Sequence, residues 1–138
     1  MSESERDYQL LFHIVKYCEK LKAVKNDVGG EYQNFIDKNN YQKLDVSAFC
    51  IGQIGELVRY LSDDFKSSHT EIFWKQIVDT RNILVHRYGT RDNKIIWDII
   101  DKDIPELNKY CRNILMKRNS NTEKDLYEEL KNETNIEL

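Results

Sequence analysis

Apolar residues along this chain recur at intervals of three and four, and no alternating stretch reaches useful length. That period places side chains on one face of an α-helix. Leu10, Ile14, Tyr17, Leu21 and Val24, widened by Leu11, Val15 and Cys18, predict a first helix over about 6–25, and Val28-Gly29-Gly30 stops it. A short helix over 31–37 buries Tyr32, Phe35 and Ile36, and Lys38-Asn39-Asn40 reads as a turn. A second long helix, about 45–64, has Val46, Cys50, Ile54, Leu57 and Leu61 as its seam, with Gln53 and Glu56 on a shoulder near Phe49 and Tyr60. Gly52 and Gly55 lie three apart within it. Glycine costs about 1 kcal/mol in a helix interior, so the pair points to close approach of another helix. A polar connection over 62–70 carries His69, read as solvated like His13 on the first helix. A third long helix follows over about 71–87 and ends at Gly89-Thr90, glycine being a common helix stop. Ile95, Ile96, Ile99 and Ile100 predict a short helix over 93–100, where Trp97 reads as packing rather than a platform for bases. Asp103-Ile104-Pro105 opens another helix, with proline at a permitted early position, continued by Leu107, Tyr110, Cys111, Ile114 and Leu115. After a linker over 117–121, Leu126, Tyr127 and Leu130 support a last turn or two.

Helices of this length joined by short loops predict an all-α, up-and-down bundle with short accessory helices. Its 138 residues suit one domain, placed at 1–118 and followed by a tail at 119–138 that is marginally helical or disordered. Charge divides at the same boundary. Residues 119–138 hold six acidic and two basic side chains, a net of −4, while the remaining 118 hold 19 basic and 18 acidic, a net of +1. A nucleic-acid site must therefore be local. Cys18, Cys50 and Cys111 each fall on an apolar helix face and form no zinc-type cluster, so they read as reduced core thiols, which favours the cytoplasm. No apolar run approaches membrane-spanning length.

The stretch Arg81-Asn82-Ile83-Leu84-Val85-His86-Arg87-Tyr88 departs from this plain pattern. Trp74, Ile77, Val78, Leu84 and Val85 make an apolar stripe with Arg81 near its middle and Tyr88 one row along. Asp79, Asn82 and His86 form a separate polar row. A guanidinium keeps its charge and is rarely buried alone. One explanation is a structural ion pair, for which Glu56 is the candidate partner. The other is that Arg81 and His86 serve phosphate chemistry. On a straight helix these two point ~140° apart and lie ~7.5 Å apart along the axis. One copy does not easily bring them to one atom, whereas two copies about a two-fold axis do.

Arg81, His86 and Tyr88 stand in the order R-x4-H-x-Y, with Ile54-Gly55-Glu56, Trp74, Asn82, Trp97 and Asp103-Ile104-Pro105-x-Leu107 around them. In this the chain, from about 6 to 115, resembles the HepT-type toxins of the HEPN superfamily of helical ribonucleases. The resemblance implies a HEPN-type bundle and a homodimer whose paired Arg81 and His86 meet in an interface cleft. It also implies a toxin whose RNA substrate is tRNA or mRNA. The partner it implies is an MNT-type nucleotidyltransferase antitoxin that silences the toxin by adding AMP to Tyr88.

The residues themselves suit such chemistry. No glycine loop of the phosphate-cradling kind occurs, nor the carboxylate spacing of a two-metal site, so no metal or cofactor is expected. RNA carries its own nucleophile in the 2′-hydroxyl, and the protein must stabilise charge on the phosphate and move protons. Arg81 suits the first task and His86 the second. Asn82 is placed to hold the ring or contact phosphate, and Asp79 is a weaker candidate for fixing the histidine tautomer. Two departures stand out: Val78-Asp79-Thr80 replaces the small residues or Met associated with many members, and the acidic tail lies outside the signature. Two other functions compete. One is a non-catalytic nucleotide- or partner-binding helical subunit of a minimal nucleotidyltransferase; the other is a structural bundle in which Arg81 and Glu56 are only an ion pair.

Overall fold

A computed structural model describes residues 3–86 and 93–137, with side chains over 5–80 and 93–133. The helices are α1 (Glu3–Asp27), α2 (Tyr32–Phe35), α3 (Tyr41–Tyr60), α4 (Asp63–Ser68), α5 (Trp74–His86), α6 (Asn93–Asp98), α7 (Ile104–Arg118) and α8 (Thr122–Glu137). A 3₁₀ turn, Lys38–Asn40, precedes α3, and a π turn, Ile99–Asp103, precedes α7. No strand occurs among the described residues, and the all-α expectation holds. Helix α1 packs against both α3 and α7, and α3 packs against α5.

The core follows the periodicity. Leu11, Ile14, Val15, Cys18 and Leu21 of α1 are fully buried, facing Cys50, Ile54 and Val58 of α3 and Cys111 of α7 within one apolar cluster. All three cysteines are buried and free. Burial pushes the Cys50 thiol up to about 11 and Cys111 to about 12, which suppresses the reactive thiolate. Gly29 and Gly30 both take positive φ, 65° and 70°, and their N–H groups donate to the Asn26 and Lys25 carbonyls. That left-handed closure is what a helix stop of this kind needs.

Several boundaries and faces differ from expectation. Val46, assigned to the α3 seam, is 46% exposed, because the helix begins at Tyr41 and turns its buried face onto Ser47, Cys50, Ile51 and Ile54 instead. Among the described residues no atom lies within 4 Å of a Cβ built on Gly52, so none of their helices approaches there. The polar connection at 62–70 contains α4, whose only buried residue is Phe65. One apolar side chain leaves no period to read.

A serine makes α4 possible. Ser62 Oγ accepts from Phe65 N–H as N-cap and donates to Asp7 Oδ2 at 2.6 Å, while Ser62 N–H donates to Asp7 Oδ1 at 2.8 Å. Asp7 is 4% exposed, so this one residue joins the start of α1 to the corner after α3. Ser62→Ala should lower stability by about 2–4 kcal/mol, combining a lost cap with a buried acceptor left short of a donor. Urea denaturation measures it, and a loss under 1 kcal/mol would contradict this account. His69, expected in solvent, is half-buried. Its ring stacks on Phe65 at 4.1 Å and its Nδ1–H donates to the Phe65 carbonyl at 2.9 Å, a packing role rather than a catalytic one.

The last helix is longer than its few apolar residues predict. Leu126 is 2% exposed and Leu130 packs against the core, so α8 finds its apolar support on α1 and α7 of its own chain. Thr122 Oγ1 donates to the Asn119 carbonyl at 2.7 Å and anchors its start.

Candidate active site

Helix α5 is clamped at its beginning. Trp74 is 6% exposed, its indole N–H donates to the His69 carbonyl at 2.8 Å, and its ring lies 5.7 Å from Phe65 and 6.3 Å from Tyr110. Tyr110 of α7 donates to Glu71 Oε2 at 2.6 Å, just before α5. Burial, reinforced by that bond, pushes the Tyr110 hydroxyl well above its ordinary value, and the same bond holds the Glu71 carboxyl below its own. These contacts give the helix a fixed origin and direction.

From that origin α5 continues unbroken through His86. Ile77 and Val78 are half-buried and Asp79 is exposed, which matches the stripe and the polar row. The side chains of Arg81, Asn82 and His86, and all of Tyr88, lie outside the described residues. The backbone still sets a constraint. With no break between them, Arg81 and His86 leave the helix ~140° apart and ~7.5 Å apart along its axis. Asn82 and His86 share a row with Asp79. Glu56 stands half-buried on α3, the helix that α5 packs against, with Oε1 3.9 Å from Arg59 Nη1.

A cavity of about 110 Å³ lies beside α5, lined by Ile51, Ile54, Ile77 and Leu107 together with Glu71 and Asp103. Its described lining is mainly apolar, with Glu71, Asp103 and Glu106 as the described charges.

Sequence reasoning passed over one surface. Val46, Phe49 and Tyr60 are 46%, 59% and 52% exposed and share a face of α3, with Gln53 and Glu56 at intermediate turns. Open space at Gly52 lies beside them. The i, i+3, i+7 spacing of Val46, Phe49 and Gln53 was legible. Periodicity reports that a row is apolar without saying what covers it.

Comparison with known proteins adds to this geometry. A family model described as "Ribonuclease HepT-like" matches residues 14–114. A candidate RNase of Caldanaerobacter subterraneus subsp. tengcongensis is 35% identical over 107 residues, covering 78% of this chain and 92% of that one. A candidate RNase of Methanocaldococcus jannaschii is 31% identical over 107 residues, covering 77% and 94%. A HepT ribonuclease candidate of Thermococcus cleftensis is 29% identical over 107 residues, covering 78% and 92%. No solved structure matches the chain.

Proposed function

Since this chain belongs to the HepT-like ribonuclease family, we propose that it is the toxin of a toxin–antitoxin pair, cutting tRNA or mRNA without a metal at a homodimer cleft. A nucleotidyltransferase antitoxin silences it by transferring AMP from ATP to the Tyr88 hydroxyl, which loses its proton as pyrophosphate leaves. The observation that carries the reading is the family match, which encloses Arg81, Asn82, His86 and Tyr88 in their R-x4-H-x-Y order.

In the reaction the ribose 2′-oxygen attacks the adjacent phosphorus and the bond to the 5′-oxygen breaks, leaving a 2′,3′-cyclic phosphate and a 5′-hydroxyl. Arg81 holds the non-bridging oxygens as their negative charge grows, a role for a guanidinium with fixed charge and forked donors. His86 accepts the 2′-hydroxyl proton or protonates the leaving 5′-oxygen. Asn82, on the same row, holds phosphate or ring, and Glu56 orients Arg81 from α3. An adenylate on Tyr88 brings a bulky phosphodiester that occupies the cleft and competes for its cations.

Two observations support the proposed dimer. One is the divergence of Arg81 and His86 along an unbroken α5. The other is the exposed apolar face of α3, which gives a second copy something to bury, with Gly52 allowing close approach. Subunit mixing tests the arrangement. Arg81→Ala and His86→Ala proteins are each inactive, yet their mixed dimers contain one site with both side chains intact. Refolded together, they should regain roughly a quarter of wild-type RNA cleavage if each site draws on both subunits of a two-fold dimer. A mixture as inactive as its parents, from a protein that sediments as a monomer, would overturn the shared cleft.

A further inference from the structure

Helix α8 falls outside the residues matched by the family, 14–114, and it is held in an unusual way. Over residues 122–133 only Thr122 and Leu126 are buried, and Tyr127 is 67% exposed. Leu130 packs half-buried against the core, and the other contacts of these residues are mainly ionic. Lys16 Nζ lies 2.7 Å from Glu133 Oε1 and 3.6 Å from Glu129, Lys20 Nζ lies 2.9 Å from Glu133 Oε2, and Arg112 Nη2 lies 2.6 Å from Glu123. Arg112 also reaches Glu19 at 3.4 Å. Lysine is almost never fully buried, yet Lys16 is 8% exposed beneath these carboxylates. Burial alone would lower the Lys16 pKa, but its bond to Glu133 and the charges of Glu129 and Glu133 outweigh that and raise it. The Glu133 carboxyl is held down by the same lysines against its own burial.

Arg112 links the cations under α8 to a second group, which lies round the helix because Lys22 leaves α1 about 160° from Lys20. Between 16 and 25, α1 carries four lysines and one glutamate, and α7 adds Lys109 and Arg112 across the groove. Lys22, Lys25, Lys109 and Arg112 line an open groove that Glu123 of α8 borders. Asp101 engages Lys25 at 3.0 Å at its far edge. The acidic helix therefore lies beside a set of amines and a guanidinium, contributing carboxylates at intervals of a few residues.

The geometry points to a second nucleic-acid site: the α1/α7 surface of Lys16, Lys20, Lys22, Lys109 and Arg112 binds the phosphate backbone of RNA, and α8 is its built-in anionic competitor. Carboxylates at 123, 129 and 133 occupy the positions that phosphates take when the helix lifts. A helix docked by Leu126, Leu130, Thr122 and a row of ion pairs has an attachment that a polyanion competes for, because the cations exchange one set of anionic partners for another while counterions are released. The inference rests on the proposed function only in taking RNA as the ligand.

Binding of a fluorescein-labelled, single-stranded 2′-O-methyl oligoribonucleotide, which cannot be cut by 2′-hydroxyl attack, separates this proposal from the catalytic one. The Glu129→Gln/Glu133→Gln variant should bind it about tenfold more tightly at 50 mM salt, and the log–log salt slope should steepen by about 1.4, two phosphates at roughly 0.7 each. Lys16→Met/Lys20→Met on the same background should remove both changes. Hydrogen exchange reports whether α8 has opened. Where it stays docked, Leu126→Asp, placing a carboxylate at its apolar anchor, releases it and the comparison is made there. An opened α8 with unchanged affinity and slope would overturn the proposal, as would a gain that persists without the two lysines. Should His86→Ala leave cleavage intact, the catalytic reading fails while this measurement still stands.

Discussion

Alanine at position 86 should slow RNA cleavage by roughly 10²–10⁴-fold, the usual worth of a positioned proton-transfer group, with the melting temperature unchanged. The expectation follows from where α5 is secured. Its fixed end is at Trp74, Phe65 and Tyr110, twelve residues before His86, and its buried support over 74–80 comes from Trp74, Ile77 and Val78. His86 lies about three turns along the helix from Trp74, so trimming its ring should leave those contacts untouched. The measurement pairs cleavage of labelled RNA with thermal unfolding of the same preparation. A non-catalytic binding subunit predicts partner affinity without dependence on His86, and a cleavage rate within threefold of wild type would decide for it. The companion change Arg81→Ala distinguishes the remaining alternative. A purely structural ion pair predicts a loss of about 3–5 kcal/mol, from stranding a buried carboxylate, whereas a phosphate-binding arginine predicts lost activity in a protein that still melts cooperatively.

Trp97→Ala carries the largest expected loss of stability, about 3–5 kcal/mol for deleting a buried aromatic. Trp97 is 4% exposed, its ring lies 5.0 Å from Phe35 and 6.3 Å from Tyr32, and it thereby joins α6 to α2. Phe35 is fully buried and closes the end of the bundle that follows α1. Removing the indole opens a void at that junction which neighbours fill only in part. The melting temperature should fall by about 10–20 °C, and Trp97→Phe should recover most of it. Were Trp97 instead a stacking surface for bases, alanine would weaken RNA binding at near-normal stability. That result would refute the packing assignment.

Most of the bundle was legible in the chain because α1, α3 and α7 each bury a row at intervals of three and four. Leu11, Ile14, Val15 and Cys18 are an example: all four were named from spacing and all four are fully buried. The errors share one cause. Val46 fits the period of the α3 seam as well as Cys50 does, yet it lies on the far edge of the row where none of the described helices reaches. Spacing identifies a face and leaves its neighbours open. Helix α4 escaped because six residues with one buried phenylalanine carry no repeat, and its cap depends on Asp7, 55 positions away. His69 likewise looked solvated from a polar context, and only the fold sets it on Phe65.

The candidate site divides along similar lines. Residue types and order at 81–88 were enough to suggest a chemistry, since a permanent cation, an imidazole and an amide in one segment are recognisable without coordinates. The divergence of Arg81 and His86 was also implicit in helical geometry. Three-dimensional packing alone established that α5 is anchored at Trp74, that its neighbour is α3, that α3 presents Val46, Phe49 and Tyr60 outward, and that α8 lies on the lysines of α1. The physical reason is range. Helix formation and amphipathicity are set by residues within a turn or two of each other, so one strand of sequence contains them. Burial of Lys16 beneath Glu133, or exposure of Phe49, depends on residues far apart in the chain or on their absence, and that becomes visible only when the helices are brought together.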